Sequence, residues 1–153
     1  MRTLYTAQAH VTGGRQHGRG RTTDGELDVE LQPPRELGSE GGGTNPEQLF
    51  AIGYAACFEA AMGIAAQRMR VPAERVADVA IDAKVMLIPV KDRALKLGVE
   101  LAVGLPSVDD LGQAAALVHG AHAICPYSNA TRGNIDVALS VNGVALESEA
   151  ATA

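Results

Sequence analysis

The longest apolar stretch of the chain spans residues 49–66 (LFAIGYAACFEAAMGIAA), and one charged residue, Glu59, interrupts it. The four residues before it, 45–48 (NPEQ), form a helix-start signal: an Asn cap, a Pro at the first helical position and a Gln that completes a capping box. Pro72 blocks a simple continuation. We therefore predict a helix over residues 45–70, buried because it is apolar on all sides. Glu59 argues against a membrane span, because a carboxylate at mid-bilayer costs roughly 2.5–3.5 kcal/mol.

Alternation of apolar and polar residues predicts strands on both sides of this helix. We expect an N-terminal antiparallel meander within residues 1–31, whose first strand covers residues 4–11. After the helix we expect a strand pair over residues 76–103, a second helix over 109–125 and a last strand over 135–142.

This order of elements indicates an α+β fold, with antiparallel sheets packed on a long buried central helix and a second helix. At 153 residues the chain is expected to be one domain, residues 1–153. So short a chain covers such an apolar helix poorly, so we expect a homodimer in which helices of both subunits share one core. The Gly- and Pro-rich segment 32–44 is predicted to be a long loop, of the kind that often has a function beyond connecting two elements. The tail 147–153 is predicted to be disordered.

Composition narrows the class of protein. The net charge is −5 and no basic block is present, which argues against nucleic acid and anionic membrane surfaces as partners. The N-terminal sequence MRTLYTAQAH lacks the apolar region of a secretory signal, so we expect a cytoplasmic location. A static structural disulfide is not expected in that reducing compartment. The two cysteines are then inert core residues, metal ligands or a redox pair.

Cys57 lies in the middle of the predicted central helix, where on position alone it is an inert core residue. Cys125 makes a reactive pair more plausible, because it stands directly before Pro126. The residue before a proline favours an extended backbone, which can direct the Cys125 side chain towards a neighbouring element. The two cysteines can meet if their Cα atoms come within about 7 Å. Alternatively, His119, His122 and Cys125 recur every third residue and all three types bind zinc, although such ligands fan out by roughly 60° per step.

Peroxide chemistry gives a reason to bring charged residues to Cys57. The thiolate is the nucleophile, and a thiol with an ordinary pKa of about 8.5 is mostly protonated at neutral pH. A nearby guanidinium lowers that pKa and stabilises the leaving alkoxide, while a carboxylate holds the guanidinium in place. On local sequence alone Arg15, Arg19 and Arg21 are solvated turn residues, and Glu47 is a first-turn acid of the helix.

Two long blocks of the sequence resemble the cysteine motifs of the organic hydroperoxide resistance (Ohr) proteins of the OsmC/Ohr superfamily. Residues 43–58 (GTNPEQLFAIGYAACF) are similar to the first motif, and residues 125–137 (CPYSNATRGNIDV) to the second. YTA at residues 5–7 and GGR at residues 13–15 match the amino-terminal pattern, so the resemblance covers nearly the whole chain. The YAACF and RGNIDV ends of the two blocks resemble the Ohr branch more than the OsmC branch.

The resemblance implies an intertwined α+β homodimer with two active sites at the subunit interface, and a thiol-dependent peroxidase that reduces organic hydroperoxides, including those of fatty acids. By match, Cys57 is the peroxidatic cysteine, which becomes a sulfenic acid, and Cys125 is the resolving cysteine, which closes a disulfide. Arg15 matches the active-site arginine, and Glu47 its carboxylate partner. The implied reductant is a dithiol, dihydrolipoamide on lipoylated proteins, and neither a metal nor a flavin is implied.

Two departures from the family pattern bear on these assignments. The segment after Arg15 is slightly longer than usual, which leaves Arg19 as an alternative. Glu59 follows Cys57 by two residues, at a position where the family usually has an apolar residue, and a carboxylate close to the thiol would raise its pKa. Two residues correspond to about 200° around a helix, so we expect the Glu59 side chain to point away from Cys57. Glu47 and Cys57 are ten residues apart, roughly 15 Å along a regular helix, so our hypothesis is that Arg15 bridges them, with residues of two subunits in one site.

Two other interpretations stay open. The same thiol pair would serve a non-catalytic redox sensor or an apolar-ligand-binding dimer, although the lack of a basic recognition helix argues against a DNA-binding sensor. The remaining interpretation is a structural dimer with inert cysteines. Sustained turnover with a dithiol distinguishes an enzyme from a sensor, and survival of both thiols in peroxide would identify inert cysteines.

Overall fold

The computed structural model of the protein describes residues 2–147, with the exception of the Arg93 side chain. The predicted disordered tail lies outside the described residues apart from Glu147. The chain divides into two compact units, Met1–Leu49 and Phe50–Ala153, each of which is described by itself. The mixture of helices and sheets confirms the predicted α+β class.

The first unit is built on a three-stranded antiparallel sheet of order β1-β2-β3, which confirms the predicted meander. A helical turn, α1, connects its first two strands, and it follows Gly13, whose φ of 72° favours glycine. The first strand begins later than predicted, because β2 ends in a turn and leaves residues 4–8 with no strand to pair with. The bounds are β1 Ala9–Thr12, α1 Gly14–His17, β2 Gly18–Thr22 and β3 Asp28–Leu31.

The long segment 32–44 is tied at both ends rather than loose. The backbone amides of Gln32 and Thr44 donate to the carbonyls of Thr44 and Glu30, at 2.9 Å and 2.8 Å. A 3₁₀ turn, Arg35–Leu37, shapes its middle. This arrangement delivers the chain directly to the start of the next helix.

The central helix, α2, spans Pro46–Arg68, as predicted within two residues at its C-terminal end. Its capping box is formed: the Gln48 amide donates to Asn45 Oδ1 at 2.9 Å, and the Asn45 amide donates to Gln48 Oε1 at 3.2 Å. Within residues 2–147, α2 is the one helix long and apolar enough to cross a membrane by length and composition, a test that the core helix of a globular protein also passes.

The second unit carries a four-stranded sheet of order β4-β5-β6-β7. The predicted hairpin of β4 and β5 is antiparallel, but β5 and β6 are parallel, so the prediction of purely antiparallel sheets is wrong for this pair. The physical reason is that a helical crossover connects β5 to β6, and parallel neighbours require such a connection. The bounds are β4 Ala80–Pro89, β5 Leu95–Gly104, β6 Val137–Val141 and β7 Val144–Ala145.

The crossover contains two helices, of which the sequence predicted one. Helix α3, Leu111–Ile124, is capped by Asp110, whose carboxylate accepts from the Gln113 amide. Cys125 is extended, as expected before a proline, but the chain then enters a further short helix, α4, Pro126–Thr131. Pro126 occupies its first position, where a proline is well tolerated.

The core of the second unit lies between the sheet and the two long helices. One face of α2 is fully covered, including Tyr54, Phe58 and Met62 at 0% exposure. The opposite face is not, since Ile52 is 69% and Ile64 47% exposed. The single chain therefore covers one face of α2 and leaves the other exposed, as expected of a chain too short to cover so apolar a helix, and burial of the second face by a homodimer stays a prediction.

Candidate active site

The two cysteines meet although 68 positions separate them in the chain. Cys125 Sγ lies 3.5 Å from Cys57 Sγ, with the Cys125 thiol placed to donate to the Cys57 sulfur. Cys57 is half-buried on α2, whereas Cys125, between α3 and α4, is fully buried. Both are free thiols, so the pair is a reduced dithiol in which one sulfur is open to a reagent and the other is shielded.

Burial raises the pKa of the Cys57 thiol above its ordinary value. A hydrogen bond from the backbone amide of Tyr127 opposes this and lowers the pKa, while hydrogen bonding with Cys125 and a charge on Cys125 both raise it. The Tyr127 amide is thus placed to donate to the Cys57 thiolate.

Three aromatic rings cluster beside the thiols. The ring centroids of Phe50, Tyr54 and Tyr127 lie 5.6–5.8 Å from one another, within the range of favourable aromatic pairs. Tyr127 packs over Gly53, one helical turn before Cys57, where an added Cβ would stand 2.8 Å from its hydroxyl. Tyr127 also remains 37% exposed, so its ring forms part of the surface over Gly53.

The first unit holds the predicted ion pair. Arg15 Nη2 donates to Glu47 Oε1 at 2.7 Å, across 32 positions of sequence. The Glu47 side chain is 16% exposed and that of Arg15 37%, so this pair is less solvated than a typical surface pair. The turn α1 carries Arg15, and the first turn of α2 carries Glu47.

Arg19, the alternative to Arg15, is engaged elsewhere. Its guanidinium makes a bidentate pair with Asp28 on the neighbouring strand, at 2.8 Å and 2.7 Å. Hydrogen bonding to Asp28 raises the pKa of Arg19, and the Arg19 guanidinium lowers the pKa of Asp28. The structure therefore pairs Glu47 with Arg15 and leaves Arg19 to hold two strands together.

Other residues singled out in the sequence take ordinary places. Glu59 is exposed, consistent with its expected direction away from Cys57. Among residues 2–147, no group of three or more His, Cys, Asp or Glu side chains is arranged to hold a metal ion. His122 instead places Nδ1 3.0 Å from Ser128 Oγ and packs its ring against Phe58 at 6.4 Å.

Two residues near the thiols were missed from sequence. Tyr127 was not singled out although it follows Cys125 by two residues, because a backbone amide directed at a sulfur leaves no trace in side-chain pattern. Ser128 is fully buried, and a sequence signal for it existed, because it follows Cys125 by three residues as Tyr54 precedes Cys57 by three. The partners of Ser128 lie on two other helices, and this pairing is visible only in the structure.

A sequence profile of the OsmC-like protein family matches residues 38–140. The organic hydroperoxide resistance protein of Xanthomonas axonopodis pv. citri is 50% identical over 92% of this chain and 96% of its own length. The organic hydroperoxide resistance protein OhrB of Bacillus subtilis is 41% identical over 90% of this chain and 98% of its own.

Solved structures show the same similarity in three dimensions. An organic hydroperoxide resistance protein from Legionella pneumophila superposes with a TM-score of 0.84 at 49% identity, covering 92% of this chain and 98% of that one. A putative one from Vibrio cholerae, solved with captopril bound in one of its active sites, gives a TM-score of 0.87 at 43% identity, covering 95% and 97%.

Proposed function

The chain belongs to the OsmC/Ohr family, and from this premise and its adjacent thiols we propose that it is a cysteine-based peroxidase that reduces organic hydroperoxides in peroxide stress defence. The observation that carries the proposal is the 3.5 Å separation of Cys57 and Cys125. A half-buried thiol beside a fully buried one supports the proposal, because a reactive cysteine must be accessible and is often placed next to a resolving cysteine.

In the proposed cycle, Cys57 thiolate attacks the distal oxygen of the hydroperoxide. The O–O bond breaks, the alkoxide takes a proton and leaves as an alcohol, and Cys57 becomes a sulfenic acid. Cys125 then attacks the Cys57 sulfur, which releases water and closes the Cys57–Cys125 disulfide. A dithiol reduces that disulfide by thiol–disulfide exchange and restores both thiols.

The Tyr127 amide and the Arg15–Glu47 pair have proposed roles in the first step. The amide hydrogen bond offsets part of the pKa rise that burial imposes on Cys57. We assign to Arg15 the guanidinium that lowers this pKa further and stabilises the leaving alkoxide. Glu47 would hold that guanidinium in one orientation, which their 2.7 Å contact supports.

The aromatic cluster supports a preference for alkyl hydroperoxides. Phe50 is partly exposed and Tyr127 is 37% exposed, so both present ring surface, whereas Phe58 and Met62 are fully buried. An alkyl or aryl group can pack on these rings, and hydrogen peroxide cannot. Turnover of cumene hydroperoxide and hydrogen peroxide tests the preference, and equal kcat/KM values would contradict it.

A homodimer is part of the proposal. The uncovered face of α2 presents Ile52, Ala56, Ala60 and Ile64, spaced four residues apart, and all four are exposed in the single chain. An apolar row of this kind is expected to be covered by a second copy, because small residues let two helices approach closely.

The proposal includes a reductant and a location. A dithiol suits the exchange, because its second thiol resolves the mixed disulfide, and the family resemblance implies that this dithiol is dihydrolipoamide on a lipoylated protein. No metal or flavin takes part in these steps. A cytoplasmic location would supply reduced dithiol continuously.

The decisive experiment is the intact mass and free-thiol count after one equivalent of cumene hydroperoxide, on the wild type and on Cys125→Ser. We expect the wild type to lose both thiols as an intrachain disulfide and Cys125→Ser to retain oxidised Cys57. Survival of both thiols would refute the proposal. A single reaction with no turnover on added dihydrolipoamide would instead favour the redox sensor.

A further inference from the structure

Four polar side chains, here called the polar strap, form a continuous hydrogen-bonded chain beside the thiols: Tyr54, His122, Ser128 and Thr131. Ser128 Oγ lies 3.0 Å from Tyr54 Oη and 3.0 Å from His122 Nδ1, and Tyr54 Oη lies 3.2 Å from Thr131 Oγ1. Tyr54 and Ser128 are fully buried, and Thr131 is 6% exposed. Buried hydroxyl groups so connected hold their elements in fixed positions, because breaking one contact leaves a polar group unpaired.

One proton order satisfies the whole strap. The Thr131 hydroxyl donates to the backbone carbonyl of Tyr127 at 3.0 Å, and this uses its single proton. Tyr54 must then donate to Thr131, and Ser128 to Tyr54. The remaining contact requires His122 to donate from Nδ1 to Ser128. The chain of donors thus runs from α3 to Ser128 of α4, on to Tyr54 of α2, and back through Thr131 to the main chain of α4.

The strap joins the elements that carry the two cysteines. Tyr54 precedes Cys57 by three residues on α2, so the two lie on neighbouring positions of one helix face. His122 precedes Cys125 by three residues and Ser128 follows it by three. The Ser128 hydroxyl therefore connects the helix that holds Cys57 to both sides of the segment that holds Cys125.

Resting on the peroxidase function proposed above, we propose that Ser128, with Tyr54 and His122, is a positioning residue that holds Cys125 against Cys57 so that the disulfide closes before a second hydroperoxide reacts. The sulfenic acid of Cys57 has two fates. Attack by Cys125 forms the S–S bond and releases water. Attack on a second hydroperoxide transfers another oxygen to Cys57, giving a sulfinic acid and an alcohol, and this product is not restored by thiols.

Geometry determines which fate prevails. The sulfurs must approach from 3.5 Å to the disulfide bond length of about 2.05 Å. A movement this small is fast only if the Cys125 segment is already held in place, and a misplacement of about 1 Å is enough to slow such a reaction by orders of magnitude. Loss of the Ser128 hydroxyl removes the contacts that join that segment to Tyr54 on α2 and to His122 on α3, and it leaves the 3.2 Å contact of Tyr54 with Thr131 as the remaining polar link of the strap to α2.

The test is the product ratio in Ser128→Ala after treatment with cumene hydroperoxide over a range of concentrations. Intact mass distinguishes the disulfide, which has lost two hydrogens, from the sulfinic acid, which has gained two oxygens. This ratio depends only on steps after the sulfenic acid has formed, so a changed rate of the first step does not affect it. We expect the sulfinic-to-disulfide ratio to rise roughly tenfold at a given concentration.

Matched variants distinguish positioning from general loosening. Ser140→Ala removes a half-buried serine hydroxyl from β6, outside the strap, and should leave the ratio unchanged. Leu139→Ala destabilises the same core without touching the strap and should also leave the ratio unchanged. Tyr54→Phe keeps the ring and removes only the hydroxyl, so it provides a second test should Ser128→Ala fail to fold. Combining Ser128→Ala with Tyr54→Phe should change the sulfinic-to-disulfide ratio little beyond the effect of either single variant.

The outcomes are distinguishable from failure of the peroxidase proposal. If the wild type itself forms no disulfide, the proposed function fails. If the wild type forms the disulfide and both Ser128→Ala and Tyr54→Phe give the wild-type ratio, the positioning role alone is refuted. A rise of equal size in Leu139→Ala would also refute it, since the ratio would then report stability rather than the strap.

Discussion

The contact between Gly53 and Tyr127 makes a sharp prediction for Gly53→Ala. An added Cβ would stand 2.8 Å from the Tyr127 hydroxyl oxygen and 3.3 Å from Cζ, whereas ordinary contacts begin at 3.4 Å. The ring must therefore retreat by 0.6 Å, the difference between 3.4 Å and 2.8 Å. Because Tyr127 is 37% exposed, it has room to swing outward.

Two opposing terms set the effect on stability. Alanine in place of glycine inside a helix gains about 0.5–1 kcal/mol. Displacing Tyr127 weakens its aromatic contacts with Phe50 and Tyr54, each worth roughly 0.5–1.5 kcal/mol. We therefore expect Gly53→Ala to change the free energy of unfolding by less than about 0.5 kcal/mol. Gly120→Ala on α3, whose nearest neighbour lies at 3.4 Å, should show most of the helix gain.

The assay combines urea unfolding under reducing conditions with peroxidase kinetics. In a Tyr127→Leu background the ring is gone, so Gly53→Ala should stabilise by about the full 0.5–1 kcal/mol. In the wild-type background Gly53→Ala should lower the preference for cumene hydroperoxide over hydrogen peroxide, because the ring surface beside Cys57 moves. The reasoning is refuted if Gly53→Ala stabilises equally in both backgrounds and leaves the preference unchanged.

Three further predictions concern charge, capping and assembly. Burial raises the pKa of Cys57, so in a Cys125→Ser background Arg15→Gln should move the pH midpoint of Cys57 alkylation above that of the Arg15 parent, because the proposed guanidinium no longer stabilises the thiolate; an unchanged midpoint contradicts the role of Arg15. Asn45→Ala should cost about 1 kcal/mol in urea unfolding through loss of the α2 cap, and a negligible cost would show that the cap contributes little. Ile64→Glu should convert a dimer to monomer in light scattering, and an unchanged mass would place the interface elsewhere.

The sequence predicted the long elements well because their signals are strong and local. The Asn45 cap and the apolar run behind it place α2 nearly to the residue, whereas the sequence offered Ser107 or Asp109 as the cap of α3 and the structure uses Asp110. Helix α4 was missed because Pro126 is equally consistent with a helix end and a helix start, and only the packing of Ser128 and Thr131 selects the second. The parallel pairing of β5 with β6 is likewise a property of the crossover, which neither strand's own pattern reveals.

The candidate site was predictable only in part. Cys57 and Cys125 stood out by residue type, and the Arg15–Glu47 pair came from family resemblance, since each looks like an ordinary surface residue locally. The Tyr127 amide could not be predicted, because it acts through backbone. The uncovered face of α2 agrees with the expectation that so short a chain covers this helix poorly, but the apolar pattern alone does not say which residues the same chain covers.

Cys57 and Cys125 are 68 positions apart in the chain, so the proposed cycle would change the stability of the protein as well as its oxidation state. A disulfide between them would close a loop that contains β4, β5 and α3, and the chain-entropy relation assigns a loop of this size up to about 4 kcal/mol. In each turnover the protein would pass between the disulfide form, which resists unfolding and proteolysis more strongly, and the dithiol form, which resists them less. When reductant is scarce, the proposed cycle would stop at the cross-linked form, which is the more stable of the two.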